Sequence, residues 1–600
     1  MITQRLAIAD KNFSHLKKLG KFYSCSREGC SRIASELADE FSAIIGDSDI
    51  EKSINASFKN IFTKNYYSAD FDELDILVFD EKLNFSLSAL RRETDFLNPK
   101  KIHIPQSRDF FENSVFMRVA RAVSGYGLDM PKMREIFDFL STPFSDWPNE
   151  IQNIFYGSLA RVSSPEYWLR ILWRIRCHWA GCRDTAKNLV HKKISPYIST
   201  RALREFATAQ QRMREFLEKN ELESSDGDRI SLETAYNSGN SCPKNRRTEL
   251  MTGLRHTGEF FTSEGCLGYF LTITLPSRYH ANRISGSENE RCTIIDPRAG
   301  QEELSRIWRN VGRKFARENI FFAGFRFVEP QHDGTPHWHL LVWFYPEQAD
   351  AALEILRDRY CAQDYETIAH NPEIRFKILP IDPERGAAAY CAAYVSKNID
   401  GFQLDGDSEA GLDAVDGATR ATAWARLYRI RQFQQFGCVG ATAWRELRRL
   451  REKPDCDPVL RHFWNAADSG DFGQFIRLSR EHGGVSLYRA DEDFAGQEIR
   501  NCWGEKTSRV RGVCLSADPS TRVQTRTRDW AVVPKQDENP SVSVSLRPEA
   551  VRACGTLAPW TSGNNCPRPD SEIQADLDFS IHQTHSNYHR GADEPTRLRI

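Results

Sequence analysis

Apolar and polar positions follow two alternating periods between about residues 250 and 400. Short apolar runs predict strands, and stretches with an apolar side chain every three or four residues predict helices. The predicted strands are 268–275, 321–329, 337–345 and 374–380, and the predicted helices are 301–317, 347–361 and 383–398. Strands alternating with helices predict an α+β domain of the split βαβ type, with helices covering one side of its sheet.

The strand predicted at 337–345 carries two histidines. It begins Pro336-His337-Trp338-His339 and continues through large apolar residues to Phe344. Because side chains alternate along a strand, His337 and His339 share one face, while Trp338 and every second residue after it point into a core on the other. Two adjacent imidazoles make half of a metal site. A pair of hydrogen-bonded histidines on a half-buried strand is the alternative.

The last of the predicted helices is rich in alanine and carries two tyrosines and a lysine. Asp382 is a candidate N-cap, and Gly401 lies where the helix has to stop. Tyr390 and Tyr394 are four positions apart and Lys397 is three further, so the three side chains share one face. An aromatic stripe that packs a helix against a sheet is the alternative, but a lysine on the same stripe suits an anion beside the phenols.

These motifs resemble those of a known family. The His-hydrophobic-His strand and the Tyr-x3-Tyr-x2-Lys helix resemble the two signature motifs of HUH endonucleases, and more closely those of the tailed-phage replication gene A proteins. The segment 269–280, Tyr-Phe-Leu-Thr-Ile-Thr-Leu-Pro-Ser-Arg-Tyr-His, resembles the family's first strand motif. The segments 429–437 and 444–447 resemble the region that follows its tyrosine helix. The resemblance extends from about residue 250 to 450.

The resemblance implies a fold, an activity and a set of partners. The fold is a ferredoxin-like HUH endonuclease sheet covered by helices. The activity is that of a site- and strand-specific DNA endonuclease and ligase, which initiates rolling-circle replication of a phage or prophage genome and later recloses the displaced strand. The partners are single-stranded or supercoiled origin DNA, covalently attached at its 5′ end, and the host's Rep-type helicase and replication machinery. The location is the cytoplasm of a bacterial host.

Scission of DNA by tyrosine requires a nucleophile and a Lewis acid. Tyr390 and Tyr394 are the candidate nucleophiles, and Lys397 is the candidate that stabilises the phenolate or the transition state. His337 and His339 need a third ligand, and Glu329, at the end of the preceding strand, is the candidate. Two imidazoles and a carboxylate suit Mg²⁺ or Mn²⁺.

The identity of that third ligand is open on the sequence alone. Gln331, His332 and Asp333 are close enough to compete with Glu329. A zinc site is disfavoured because no cysteine accompanies the histidines.

The rest of the 600-residue chain is divided by composition into further regions. We expect a mainly helical N-terminal region over 1–240, which could bind DNA or a partner, the endonuclease domain over 250–400, a basic helical extension over 419–500, and a short hairpin followed by a largely disordered tail over 501–600.

Whole-chain charge is close to balance, with 81 Lys and Arg against 82 Asp and Glu, so any DNA-binding surface must be local. Residues 161–216 hold twelve basic and four acidic residues, and residues 420–453 hold nine and two. Either patch could follow a phosphate backbone, or be a solvated helix face. Arg and Gln read base edges well. The candidate DNA contacts are Arg429, Arg431, Gln434, Gln435 and Arg445.

Several classes of protein are disfavoured. The fifteen cysteines are odd in number and scattered, and without a secretory leader they predict reduced thiols. No apolar run approaches the roughly twenty residues of a membrane span. No Gly-x4-Gly-Lys-Ser/Thr loop occurs, so strand separation would need another protein. An HUH relaxase or transposase remains an alternative, although the His-before-Tyr order argues against relaxases. A non-catalytic DNA-binding protein is the second alternative.

Overall fold

The computed structural model describes residues 2–11, 13, 26–46, 111–140, 142, 144–407 and 410–535. The tail expected after residue 535 lies outside this range. Within it, helices and antiparallel sheets combine as an α+β fold, as the sequence predicts.

A five-stranded antiparallel sheet is at the centre of the chain. In spatial order its strands are Phe376–Pro380, Leu267–Ile273, Pro336–Phe344, Ala323–Pro330 and Phe433–Phe436. Their chain order is strand, helix, strand, strand, helix, strand, with Phe433–Phe436 added later at one edge. The helices between these strands are Pro297–Arg317 and Pro346–Cys361. The four predicted strands and the two crossover helices are therefore present, with ends shifted by a few residues.

Helices cover both faces of this sheet, so the prediction of a single covered side is wrong. On the central strand, Trp338 and Leu340 belong to the core shared with the two crossover helices, while Leu341 and Trp343 belong to a second core on the opposite face. The second core includes the helices Pro243–Ser263 and Ala387–Ile399. A strand buried on both faces reads as a continuous apolar run, which hides the second layer from a sequence pattern.

The helix that carries the tyrosines spans Ala387–Ile399 and begins four residues later than predicted. Gly386 precedes it with a φ of +74°, which is outside the right-handed helical region, so the predicted N-cap Asp382 instead accepts from the Glu384 N–H in a turn. The helix ends where predicted, and Gly401 there has a φ of +70°.

The alanines of this helix allow a close approach to its neighbour. A Cβ atom at Gly258 of the Pro243–Ser263 helix would lie 2.7 Å from the Ala387 Cβ. Small side chains on both helices therefore let the backbones meet above the sheet.

The described part of the N-terminal region is mainly helical, with helices Ile2–Lys11, Arg27–Gly46, Phe111–Gly125, Asn149–Val162, Pro165–Ala186 and Thr200–Lys219. Its tryptophans take part in packing within the chain: Trp168 is fully buried, and Arg176 and Arg183 lie over the Trp173 and Trp179 rings of their own helix. None of the helices in the described ranges is long and apolar enough to cross a membrane.

The basic region after the tyrosine helix is not continuously helical. Its helices are Ala414–Tyr428, Ala441–Leu447, Pro458–Ser469 and Phe472–His482. Between the first two lies the edge strand Phe433–Phe436, whose backbone pairs with Ala323–Pro330, so the helical extension expected over 419–500 is interrupted. A second sheet joins Val485–Ala490, Arg509–Leu515 and Val523–Gln524. A third joins Trp530–Pro534 to Asn220–Ser224, and that strand to Arg229–Ser231.

Candidate active site

Strand register brings the two histidines together with Glu329. His337 is directly opposite Glu329 on the neighbouring strand, and His339 is directly opposite Thr272 on the other neighbour. Paired residues in an antiparallel sheet share a face. These side chains therefore point to the face that carries the tyrosine helix.

Glu329, His337 and His339 form a compact group of donors. One ligand atom from each lies within 4.8 Å of the other two. Glu329 and His339 are buried, with 4% exposure each, and Glu329 Oε1 is 3.1 Å from His339 Nε2. Two imidazoles and a carboxylate are donors that divalent cations accept.

Two threonines, one on the Leu267–Ile273 strand and one directly after it, lie beside the Nδ1 atoms of the two imidazoles. Thr272 Oγ1 is 3.1 Å from His339 Nδ1, and Thr274 Oγ1 is 3.4 Å from His337 Nδ1. A hydroxyl that accepts from the Nδ1–H leaves the Nε2 lone pair of the same ring for a metal. The pair thereby orients both rings toward Glu329.

The charge states of the group suit a cation. Burial alone would raise the pKa of Glu329, but Lys397 and His339 outweigh it and hold that pKa well below its usual range. Burial, and then the neighbouring His339, lower the pKa of His337 to about 3. An ionised carboxylate beside a neutral imidazole is the state that binds a divalent ion. The residues present therefore fit the expected Mg²⁺ or Mn²⁺.

The two tyrosines lie on one face of their helix, against the same side of the sheet. The Tyr394 ring is 4.2 Å from the His339 ring and stacks on Phe270 at 5.3 Å between centroids. The Tyr390 ring is 6.5 Å from Phe270, and its hydroxyl accepts from the Asp382 N–H at 3.1 Å. Tyr394 is thus next to the His and Glu group, whereas Tyr390 lies beside Phe270 and the turn that precedes the helix.

Lys397 reaches the same group from the last turn of the helix. Its Nζ is 3.4 Å from Glu329 Oε2 and 3.7 Å from Asp407 Oδ1. Tyr394 and Lys397 of the helix are therefore brought together with the three residues on the strands, and Tyr390 lies one turn before Tyr394 on the same helix.

Two of the competing ligands, His332 and Asp333, are not grouped with the histidines. Asp333 is fully buried in the turn after Glu329, where its Oδ2 is 3.5 Å from His280 Nδ1 and its Oδ1 accepts from the Thr335 N–H. The His332 carbonyl accepts from the Tyr197 N–H at 3.2 Å. Among the carboxylate and imidazole candidates for the third ligand, Glu329 is the one grouped with both histidines in the described residues.

A second group, His178, Cys182 and Asp296, also brings possible ligands together. Its hydrogen bonds account for it without a metal. Asp296 is the N-cap of Pro297–Arg317, where its Oδ1 accepts from the Arg298 N–H at 2.9 Å and lies 2.8 Å from His178 Nε2. We assign it a structural role at the start of that helix.

The candidate DNA contacts do not form one surface. Gln434 is opposite Arg326 and Gln435 is opposite Phe325, so the two glutamines point to opposite faces of the sheet. Arg445 is paired with Glu249 at 2.5 Å. Arg429 is the left-handed C-cap of Ala414–Tyr428, and the exposed Arg431 donates to the Phe433 carbonyl.

Four residues at the site were not assigned from the sequence: Thr272, Thr274, Asp407 and Tyr197, whose hydroxyl donates to Asp407 Oδ2 at 2.6 Å. The threonines could have been identified from the sequence, because polar side chains two positions apart in an apolar strand share one face. Asp407 lies in an acidic, glycine-rich stretch that reads as a loop, and Tyr197 is 200 positions from Lys397. Neither has a local pattern that points to the site.

The part of the chain that contains the site is similar to known proteins. Residues 141–402 match the family model described as bacteriophage replication gene A protein. No solved structure matches the chain significantly.

Curated relatives are about one third identical to the chain over the aligned residues. It is 33% identical over 426 residues to the "Replication gene A protein" of Escherichia phage 186, an alignment that covers 69% of the chain and 60% of the relative. The protein of the same name from Escherichia phage P2 is 33% identical over 437 residues, covering 68% and 55%. A "Probable replication endonuclease from prophage-like region 1" of Salmonella typhi is 33% identical over 444 residues, covering 71% and 54%. The chain thus spans between about half and three fifths of the length of these relatives.

Proposed function

Given that residues 141–402 belong to the bacteriophage replication gene A protein family, we propose that this chain is a DNA endonuclease that initiates replication of a phage or prophage genome. The observation that carries the proposal is the convergence of Glu329, His337, His339, Tyr394 and Lys397 on one face of the sheet. The names of the relatives, a replication gene A protein and a probable replication endonuclease, support the same reaction class.

The finer proposal is an HUH-type mechanism on a ferredoxin-like sheet. Its support is the chain order strand, helix, strand, strand, helix, strand, with the four strands in spatial order four, one, three, two. The histidines lie on the central third strand, and the tyrosine helix covers the face to which they point.

The proposed chemistry is transesterification. The hydroxyl oxygen of Tyr390 or Tyr394 attacks the phosphorus, a Tyr–O–P bond forms, and the P–O3′ bond breaks. The products are a 5′-phosphotyrosyl end and a 3′-oxygen that takes up a proton and becomes a primer. Because the bond energy is kept in the phosphotyrosyl ester, closure of the displaced strand needs no nucleotide cofactor.

The residues of the site supply what a phenol lacks. With a pKa of about 10, only about one tyrosine in a thousand is ionised at pH 7. The ammonium of Lys397 stabilises negative charge on the phenol oxygen and on the phosphate. Glu329, His337 and His339 would hold a Mg²⁺ or Mn²⁺ ion, which supplies Lewis acidity at the phosphate.

A second tyrosine one turn away has a use in the same reaction. Side chains at i and i+4 are about 5–6 Å apart at Cβ. While one tyrosine is esterified to the 5′ end, the other can cleave the regenerated origin and release a 3′-hydroxyl that attacks the first ester. The roles then exchange, and the displaced strand is closed.

The proposed setting is the bacterial cytoplasm, with origin DNA as substrate. A separate helicase, of the Rep type that the family resemblance implies, would open the duplex. The test is incubation of the purified chain with single-stranded fragments of the phage or prophage genome and Mg²⁺ or Mn²⁺. Nicking that chelator abolishes is expected, and DNA binding without nicking across all fragments would favour the non-catalytic alternative.

A further inference from the structure

Lys397 is shared between two buried carboxylates, those of Glu329 and Asp407. Glu329 is a candidate metal ligand, whereas Asp407 is in none of the metal-binding groups of the described residues. The side chains of Glu329 and Asp407 are 6% and 3% exposed, so both negative charges act at close range in a poorly solvated site. The histidine and glutamate group does not use Asp407 as a metal ligand, so the ion pair between Asp407 and Lys397 needs a separate explanation.

Asp407 is held in place by contacts from two directions. Its Oδ2 accepts from the Tyr197 hydroxyl at 2.6 Å, and its Oδ1 accepts from the Ala410 N–H at 3.2 Å. Its backbone forms a bridge with Leu412. A side chain at Gly417 would clash with it, since a Cβ there would be 2.8 Å from Oδ2. The acidic stretch after the tyrosine helix is therefore built around this carboxylate.

Tyr197 brings the N-terminal region to the site. Its ring is fully buried, with Lys397 Nζ 5.5 Å from the ring centroid, and its backbone N–H donates to His332 in the turn that joins the strands of Glu329 and His337. The residue adopts a φ of +69°, which a non-glycine residue keeps only when its surroundings hold it there.

A cation bound by Glu329 changes the electrostatic interactions of the Lys397 ammonium. A divalent ion takes up the charge of Glu329 and repels the ammonium next to it. With Glu329 as its sole partner, Lys397 would either compete with the ion or leave the site. Asp407 offers a carboxylate that the ion does not use.

We propose that Asp407, oriented by Tyr197, is a positioning residue that draws Lys397 away from Glu329, so that the ion and the ammonium occupy the site together beside Tyr394. This inference rests on the proposed function. It assigns to the N-terminal region a contribution to the active site through Tyr197, and to the stretch after the tyrosine helix a contribution through Asp407.

The test uses the full chain and measures Mn²⁺ binding directly, by the loss of the free Mn²⁺ signal in electron paramagnetic resonance, without DNA. In Asp407→Asn the ammonium loses the Asp407 carboxylate and keeps its ion pair with Glu329, and Mn²⁺ binding is expected to weaken about tenfold or more. Adding Lys397→Met to this variant removes the competing ammonium and restores Mn²⁺ affinity. The rate of protein–DNA adduct formation stays low in both variants, because Lys397 is misplaced in one and absent in the other.

Two further variants separate positioning from folding. Asp413→Ala removes the N-cap of Ala414–Tyr428, which accepts from the Val415 and Asp416 N–H groups, without touching Lys397. It is expected to lower the melting temperature and leave Mn²⁺ affinity unchanged. Tyr197→Phe keeps the ring and removes the hydroxyl, and a smaller loss of affinity in the direction of Asp407→Asn is expected.

The outcomes are distinct. Wild-type Mn²⁺ affinity and adduct rate in both Asp407→Asn and Tyr197→Phe would overturn the inference while leaving the proposed function intact. Failure of Lys397→Met to restore the affinity lost in Asp407→Asn would also overturn it, since the loss would then not act through the ammonium. A wild-type chain that neither binds Mn²⁺ nor forms an adduct would refute the proposed function, and this inference with it.

Discussion

Glu329 and His337 are direct register partners on adjacent antiparallel strands, although they are eight positions apart along the chain. The turn Gln331–Thr335 joins the two strands and returns the chain so that the carboxylate and the imidazole share a face. The candidate metal ligands are thus fixed by backbone hydrogen bonding rather than by a flexible loop, which favours a preformed site.

The first prediction concerns the identity of the third ligand. Glu329→Gln removes the charge but keeps the shape, so Mn²⁺ binding and metal-dependent adduct formation should both fall by at least about tenfold. Asp333→Asn is the matched control in the adjoining turn, where Asp333 is paired with His280. It should lower the melting temperature and keep Mn²⁺ affinity. The reverse pattern, measured by titration and thermal melting, would assign the ligand to Asp333.

A second prediction concerns the threonines behind the histidines. Thr272→Val and Thr274→Val each remove the acceptor at one imidazole Nδ1–H, and should weaken Mn²⁺ binding by about 10–100-fold. Ile273→Val, between them and facing the opposite core, controls for strand packing. Wild-type Mn²⁺ affinity in Thr272→Val and Thr274→Val, as in Ile273→Val, would show that the hydroxyls do not orient the rings.

The tyrosines give a third prediction. Tyr390→Phe and Tyr394→Phe should each leave some nicking of single-stranded DNA, because the remaining phenol can still reach the phosphate. The double variant should leave none, while retaining the wild-type melting temperature. Undiminished cleavage by the double variant would exclude tyrosine as the nucleophile.

The fourth prediction concerns stability and its pH dependence. Arg161 of the N-terminal region pairs with Glu505, which lies between the strands Val485–Ala490 and Arg509–Leu515 of the second sheet, through two hydrogen bonds of 2.7 and 2.6 Å. Burial opposes ionisation of Glu505, but Arg161 outweighs it and the pKa of Glu505 is lowered. Glu505→Gln should therefore reduce the free energy of unfolding at pH 7, by up to about 3–5 kcal/mol for a buried pair that loses one partner.

The difference between wild type and Glu505→Gln should depend on pH in one direction. Because the folded pKa is depressed, the stabilisation is present above the unfolded pKa of about 4.3 and is lost as pH falls through the folded value. Melting temperatures of the two proteins should therefore differ at pH 7 and converge in acid. A difference that grows on acidification would contradict the assigned ion pair.

The sequence predicts those parts of the site that are local along the chain. Alternation places His337 and His339 on one face, and helical spacing does the same for Tyr390, Tyr394 and Lys397. Proximity of Glu329 to the histidines follows from a short turn between two strands. Each of these relations involves residues that are close in sequence, because the periodicity of a strand or helix determines the direction in which each side chain points.

Long-range relations could not be predicted in the same way. Asp407 reaches Lys397 because a glycine-rich stretch folds back on the tyrosine helix, and Tyr197 reaches Asp407 from across 210 positions. The second helical layer was missed because a strand buried on both faces has no polar side to mark it. The late start of the tyrosine helix depends on the positive φ of Gly386, which glycine permits but does not require.

The most direct test of the central claim is to locate the covalent bond. Full-length chain is incubated with labelled single-stranded origin DNA and Mn²⁺, the adduct is isolated on a denaturing gel, and the modified peptide is identified by mass. The account predicts a phosphodiester-linked nucleotide on Tyr390 or Tyr394 that does not form with chelator. An adduct on a residue outside the Ala387–Ile399 helix, or DNA cleavage by folded protein with no adduct, would contradict it.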